Sequence, residues 1–207
     1  MNKISSLITI LLISNCSYID YTLVPSAAKT VIFGVDEIVI DEDFYDSQTS
    51  SFVKVKIGKR AEAVFVLAKI EVDQFYWISS SGERLITLRN GKVKKLQSDK
   101  YSFTLIAESN FPKNLLELRE LSYFIELDNP FALFSQQSTF HQSKKIQFSR
   151  FNKIFDVNSI TEVVSSNSMK WSYSNLYIIN DELLPIQSRV HFSPIQDPLE
   201  LEFYYKY

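Results

Sequence analysis

Residues 84–96 read RLITLRNGKVKKL and predict a β-hairpin. Two short β runs flank Asn90-Gly91, the strongest short hairpin signal that a sequence offers. Both residues tolerate the positive φ that the central positions of a type I′ turn require. This stretch therefore favours an antiparallel sheet, in which tight turns join neighbouring strands.

Similar β runs recur on both sides of this hairpin. Residues 63–72 are apolar on both faces and predict a central, covered strand. Leu199, Leu201 and Phe203 alternate with polar residues near the C-terminus and predict a strand with one buried face. The chain contains 16 Phe and 11 Tyr but only 4 Gly, a composition that suits pleated surfaces. Further strands are predicted at residues 31–40, 52–57, 75–78, 101–108, 123–127, 144–151, 154–164, 170–173, 176–179 and 183–192.

One segment has helical spacing instead. Within residues 110–122, leucines recur every three or four positions, so this is the one predicted helix. Many short strands, regular turns and one short helix predict a mainly β protein, an antiparallel β-barrel or sandwich. The chain shows no internal repeat, so we predict a single β-rich domain over residues 31–207.

The first fifteen residues have the layout of a secretory signal. Lys3 is followed by an apolar run over residues 4–13. A helix through this run is about 15 Å long, against roughly 30 Å for a hydrocarbon core, so it cannot remain as a spanning anchor. We predict a signal peptide over residues 1–15.

Cys16 identifies the kind of signal. Ile13-Ser14-Asn15-Cys16 resembles a bacterial lipobox, which predicts cleavage before Cys16 and a membrane anchor of lipid on its sulfur. The alternatives are an ordinary secretory signal, or a buried N-terminal element with an incidental cysteine. Because Cys16 is the only cysteine, no intrachain disulfide is possible. Residues 16–30 are polar and aperiodic and predict a flexible tether.

Charge excludes one class of partner. The chain has 22 Lys and Arg against 24 Asp and Glu, so it lacks the positive surface that nucleic acid requires. Two basic clusters stand out, and we interpret both as solvated strand edges rather than phosphate sites. They are Lys92, Lys94 and Lys95, and Lys144-Lys145.

Catalytic and metal-binding signatures are missing from the sequence. His141 and His191 lack ligand spacing and predict surface or structural roles. Asp36-Glu37 and Asp41-Glu42-Asp43 predict a solvated acidic turn rather than a calcium loop. We therefore predict no catalytic residue, cofactor or metal, although a glycosidase carboxylate pair distant in sequence stays open.

Four aromatic residues are candidates for contact with a sugar or a protein partner. They are Tyr76, Trp77, Trp171 and Tyr173. Their rings could pack on the apolar faces of sugars, but in β proteins such residues more often belong to the core.

Several blocks resemble the YjbF/GfcB lipoproteins, which are associated with group 4 capsule and exopolysaccharide production. The resemblance runs roughly over residues 32–207. Its blocks are FGVD at 33–36, AVFVLA at 63–68, WISSSG at 77–82, LITLRNGKV at 85–93, NLYIIN at 175–180 and residues 187–194.

The resemblance implies an outer-membrane lipoprotein on the periplasmic face that assists polysaccharide secretion, with no catalytic residues. Two hypotheses follow. The first is a non-enzymatic accessory lipoprotein that docks on an outer-membrane or periplasmic protein of a polysaccharide export system, with or without direct contact to the polysaccharide. The second is a carbohydrate-binding module or carbohydrate-active enzyme.

Overall fold

The fold is a closed barrel of twelve antiparallel strands. A computed structural model describes residues 38–99, 101–107, 111, 114–117 and 119–206. The predictions for residues 1–30, Cys16 included, for Asp36-Glu37 and for the strand over residues 31–37 lie outside these ranges, and residues 38–40, which the structure describes, are not in a strand. The elements are α1 Glu42–Ser47, β1 Phe52–Ile57, β2 Ala63–Glu71, β3 Gln74–Ser79, β4 Arg84–Leu88, β5 Val93–Gln97, β6 Ser102–Ala107, β7 Glu120–Asp128, β8 Phe131–Arg150, β9 Lys153–Ser166, β10 Trp171–Ile179, β11 Pro185–Val190 and β12 Leu199–Tyr204.

Every strand pairs with its neighbours in chain order, and the first and last strands close the ring. β1 and β12 pair in register from Phe52 opposite Tyr204 to Ile57 opposite Leu199. The mainly β, antiparallel prediction is confirmed, and of the two predicted architectures the barrel is the one formed. One end of the barrel, where β1 begins and β12 ends, carries α1 and the β8–β9 turn; we call it the helix end. The other is the far end.

Side chains alternate between the interior and the outer surface. The inward positions of β1 to β4 and β12 are mostly apolar, with Phe65, Trp77 and Leu201 each at most 2% exposed. Across the interior, β8 to β10 contribute polar inward residues such as Gln136, Glu162 and Asn175. The barrel is therefore filled, with an apolar side and a polar side.

The predicted helix is wrong in position. Within residues 110–122 the described part contains only a 3-10 turn at Leu115–Glu117, and β7 begins at Glu120. Within the described residues the single α-helix is α1, where the sequence predicted an acidic turn. Asp41 caps it by accepting a hydrogen bond from the Phe44 N–H at 2.7 Å, and Glu42 lies in its positive first turn.

The hairpin at residues 84–96 is confirmed, with a different turn from the one predicted. Only Gly91 of the Asn90-Gly91 pair has positive φ, +87°. The Leu88 N–H donates to the Lys92 carbonyl across a three-residue loop. A three-residue loop needs only one left-handed residue, at its last position. Gly91 also lies so close to Pro185 that a Cβ would be 2.6 Å from its ring.

Candidate functional site

The four candidate aromatic residues do not form one surface. Trp77 is fully buried in the barrel, and its indole N–H donates to Thr87 Oγ1 at 3.0 Å. Trp77 is therefore a core residue, the role that the sequence favours for such aromatic residues, and it has no exposed surface in this structure for a sugar or a partner. Tyr76 lies on the opposite face of β3, where the Lys69 ammonium is 4.4 Å from its ring centre. β3 and β10 are not neighbours in the barrel, so Tyr76 is separate from the other two candidates.

Trp171 and Tyr173 do come together, at the far end of the barrel. They lie on one face of β10, with ring centres 5.2 Å apart. The His191 ring stacks on Tyr173 at 4.6 Å with an interplanar angle of 7°. Tyr173 is 38% exposed, so this group of three rings reaches solvent. We call Trp171, Tyr173 and His191 the aromatic stack.

Sequence reasoning missed His191 as a member of this group, because the strand context alone gave it no partner. Burial, followed by the nearby charge of Arg189, lowers the pKa of His191. Its backbone N–H donates to Asn175 Oδ1 at 2.7 Å. The position of His191 is therefore fixed by a hydrogen bond from its own main chain to the β10 side chain beside it.

Asn175 connects the aromatic stack to a buried polar cluster on the inner wall. Its amide nitrogen donates to Glu162 Oε2 at 3.1 Å, and the Tyr177 hydroxyl donates to the same oxygen at 2.7 Å. The other carboxylate oxygen accepts from Lys92 Nζ at 2.5 Å and from the Ser138 hydroxyl. Glu162 thus has four donors: two from β10, one from β8 and one from the turn before β5.

Charge and burial act in opposite directions on Glu162. Complete burial raises the pKa of its carboxyl, but the charge of Lys92 and the hydrogen bonds from Lys92, Ser138 and Tyr177 outweigh burial and lower the pKa overall. Burial, together with the negative charge of Glu162, raises the pKa of Tyr177 and Tyr123 well above the usual range. The arrangement is an ionised carboxylate held by neutral hydroxyls and one ammonium.

The Lys92–Glu162 ion pair at the centre of this cluster has a structural role. The side chains of Lys92 and Glu162 are 4% and 0% exposed, so no substrate can touch them in this conformation. General acid–base catalysis requires a group within hydrogen-bond reach of the reacting proton. The prediction that Lys92 belongs to a solvated strand edge is wrong, whereas Lys94 and Lys95 are partly exposed on β5.

The alternation of β9 contained a signal for Glu162. Ile160 and Val164 point inward, so the residue halfway between them must point inward as well. A carboxylate on an apolar face needs a buried partner. That partner cannot be named from the sequence, because Lys92 is 70 positions away.

Two hollows are present in the described chain. A cavity of about 90 Å³ at the far end, lined by residues such as Val55, Phe65 and Leu96, is well below the roughly 300–1,000 Å³ typical of small-molecule pockets. A second hollow of about 430 Å³ is open to solvent and is lined by His141, Lys144, Ser159 and Thr161. Within the described ranges no three His, Cys, Asp or Glu residues are grouped as metal ligands would be. No helix there has the length and apolar character needed to cross a membrane.

Comparison with known proteins identifies the family of the chain and a similar fold. The family model for the group 4 capsule polysaccharide lipoprotein GfcB/YjbF matches residues 26–203. The fold is similar to the crystal structure of the hypothetical lipoprotein YmcC from Escherichia coli K12, with a TM-score of 0.71 and 19% identity over 81% of this chain and 90% of that one. No curated protein sequence matches the chain. The chain therefore belongs to the YjbF/GfcB family of group 4 capsule polysaccharide lipoproteins.

Proposed function

We propose that the protein is a non-enzymatic accessory lipoprotein of capsule or exopolysaccharide secretion. In this proposal lipid on Cys16 holds it on the periplasmic face of the outer membrane, and the barrel docks on an outer-membrane or periplasmic protein of the export system. The observation that carries the proposal is the family match over residues 26–203, which begins ten residues after the lipobox cysteine.

The buried cluster supports a non-enzymatic role. Among the carboxylates of the described residues, Glu162 has the most hydrogen-bond donors, and its partners enclose it inside the barrel. Enzymes usually place perturbed carboxylates in clefts that a substrate can enter. Here the ion pair holds the turn before β5 against β9 inside the barrel.

The described chain begins on the outer surface of the barrel. The Ile38 N–H donates to Glu62 Oε2 at 2.6 Å, and the Ile38 carbonyl accepts from Lys54 Nζ at 3.5 Å. The segment between Cys16 and Ile38 spans at most roughly 75 Å when fully extended. In this proposal a lipid on Cys16 keeps Ile38, on the outer surface of the barrel, within roughly 75 Å of the membrane surface.

The test compares three strains: a gene deletion, the deletion complemented by wild type, and the deletion complemented by Cys16→Ala. We expect deletion to reduce secreted polysaccharide, wild type to restore it, and Cys16→Ala to fail. Radioactive palmitate should label wild type and not Cys16→Ala. Unchanged secretion on deletion contradicts the proposal, and a defined partner that co-purifies with the anchored form separates docking from a purely structural role.

The aromatic stack supports a second candidate, direct binding of a saccharide. Exposed aromatic faces pack on the C–H faces of sugar rings, and Tyr173 is exposed beside the half-buried Trp171. Calorimetric titration with oligosaccharides from the secreted polysaccharide tests it. Tyr173→Ala should abolish binding while Tyr76→Ala, on another side of the barrel, should retain it; absence of heat with wild type rejects this candidate.

A further inference from the structure

The β8–β9 hairpin extends beyond the barrel wall. Pairing of β7 with β8 ends at Glu120 opposite Thr139, and pairing of β10 with β9 ends at Ile179 opposite Asn158. β8 and β9 continue to pair with each other as far as Arg150 opposite Lys153. We call residues 144–156 the ribbon, because within the described ranges its two strands have no further strand beside them.

The tip of the ribbon is fastened to the barrel. Phe151 and Asn152 both have positive φ, +51° and +58°, which is a type I′ turn. The Phe151 ring lies 5.4 Å from the ring of Tyr45 in α1. Arg150 donates to the carbonyl of Phe203 at 2.7 Å and to that of Ile186 at 3.3 Å. A two-stranded ribbon is marginally stable alone, so these contacts hold it in place.

The register determines which backbone groups of the ribbon remain free. Arg150 and Lys153 flank a two-residue turn and therefore exchange both hydrogen bonds. Hydrogen-bonded and non-hydrogen-bonded pairs then alternate along the ladder. As a result, the N–H and C=O groups of Lys145, Gln147 and Ser149 point away from β9. Nothing in the described chain pairs with this edge.

The side chains around this edge are mainly apolar and basic, with one exposed carboxylate, Asp156, opposite Gln147. Ile146, Phe155 and Ile154 are 38%, 44% and 68% exposed. Lys144 and Lys145 are exposed, and neither has a carboxylate partner among the described residues. His141, Lys144, Ser159 and Thr161 line a hollow at the base of the ribbon, where the register shifts. An ammonium, an imidazole and two hydroxyl groups around one hollow can all donate hydrogen bonds to a carboxylate.

We propose that the outer edge of β8 from Lys144 to Arg150 receives an extended segment of a partner protein, which adds a strand to the ribbon and places a carboxylate against Lys144 and His141. The inference rests on the proposed docking function and names its surface. A second copy of this chain fits less well. Antiparallel self-pairing around Gln147 would put Lys144 beside Arg150, and like charges that face each other destabilise a sheet.

Gln147→Pro tests the edge in the full chain in detergent micelles. The Gln147 N–H points outward, so proline removes the donor that an added strand needs and leaves the β9 ladder intact. The probe is a short synthetic peptide that alternates Thr and Val and ends in two Glu. We expect the peptide to slow amide exchange at Lys145, Gln147 and Ser149. Gln147→Pro should weaken binding about tenfold and Gln147→Ala less than about twofold.

A paired charge variant covers the case in which Gln147→Pro does not fold. Lys144→Glu with Lys145→Glu should abolish binding of the acidic peptide. Lys94→Glu with Lys95→Glu, the same change on β5, should not affect it. If the peptide fails to bind, or binds Gln147→Pro as well as wild type, or protects amides elsewhere, the lysines only protect the edge from aggregation and the inference is wrong.

Secretion assays keep this inference separate from the proposed function. A strain with Gln147→Pro should secrete as little polysaccharide as the deletion strain, and a strain with Gln147→Ala should secrete normally. If deletion itself has no effect, the proposed function fails, and the peptide experiment still decides whether the ribbon accepts a strand. If deletion reduces secretion and Gln147→Pro does not, the docking surface lies elsewhere.

Discussion

Lys92 Nζ lies 2.5 Å from Glu162 Oε1, although the two residues are 70 positions apart in the chain. The pair fixes the start of β5 against the middle of β9 across the polar side of the barrel. Because both side chains are buried, either one left alone would be an uncompensated charge in a low-dielectric interior.

Removal of one partner should therefore be costly. We expect Lys92→Ala to lower the free energy of unfolding by about 3–5 kcal/mol. The control is Lys153→Ala, which breaks the exposed pair with Glu42 at 2.9 Å and should cost less than about 1 kcal/mol. Urea unfolding followed by circular dichroism measures both. Equal losses of unfolding free energy in the two variants would show that the buried pair contributes no more to stability than the exposed pair.

The pH dependence of stability should reveal the lowered pKa of Glu162. The unfolded carboxyl titrates near its usual value of about 4.3, so its contribution is present above that pH and is lost as pH falls through the lower folded pKa. We expect the stability difference between wild type and Glu162→Gln to shrink as pH falls below about 4. Urea titrations between pH 7 and 2 measure it; a difference that stays constant throughout is contrary to this assignment.

Arg150 should control the mobility of the ribbon. Its guanidinium donates to the carbonyls of Phe203 and Ile186, and it lies 4.3 Å from the Tyr204 ring centre. Lysine cannot reproduce this planar, two-bond geometry. Arg150→Lys should therefore speed amide exchange in residues 144–156, while Arg189→Lys, in an exposed pair with Glu200, should not. Unaltered exchange in Arg150→Lys would mean that other contacts fasten the tip.

Gly91 and Gly82 allow backbone strain to be separated from crowding. Their φ values are nearly equal, +87° and +86°, but a Cβ on Gly91 would lie 2.6 Å from Pro185 whereas one on Gly82 would meet nothing within 4 Å. Gly82→Ala should cost about 1 kcal/mol for the left-handed backbone. Gly91→Ala should cost clearly more. Thermal unfolding of the two variants measures the stability that each loses. Similar losses in both would argue against crowding at Pro185.

Local patterns predicted the strands well where one face is buried. β12 is an example, because Leu199, Leu201 and Phe203 alternate with polar residues and are each at most 1% exposed. β8 was missed over most of its length because residues 131–143 lack this alternation of apolar and polar residues. Its inward residues Gln136 and Ser138 are polar, since they face the polar side of the interior. A pattern of buried apolar residues could not show them.

Three features depended on contacts distant in sequence. Barrel closure joins Phe52 to Tyr204, and no local signal distinguishes that pairing from a sandwich. The Glu162 cluster required Lys92, which looked like one of three solvated lysines. The type I′ turn at Phe151-Asn152 has no glycine, because packing of Phe151 on Tyr45 offsets the cost of its left-handed backbone.

The pairing of β1 with β12 also affects the order in which the barrel assembles. Of the strands that the structure describes, the two that close the ring are the first and the last to be synthesised, so β1 has a free edge until β12 has been made. Pairing of segments this far apart carries a large loop-closure cost and is intrinsically slow. Completion of the barrel must therefore be a late event, and a chain truncated before Leu199 is expected to keep an open, aggregation-prone edge.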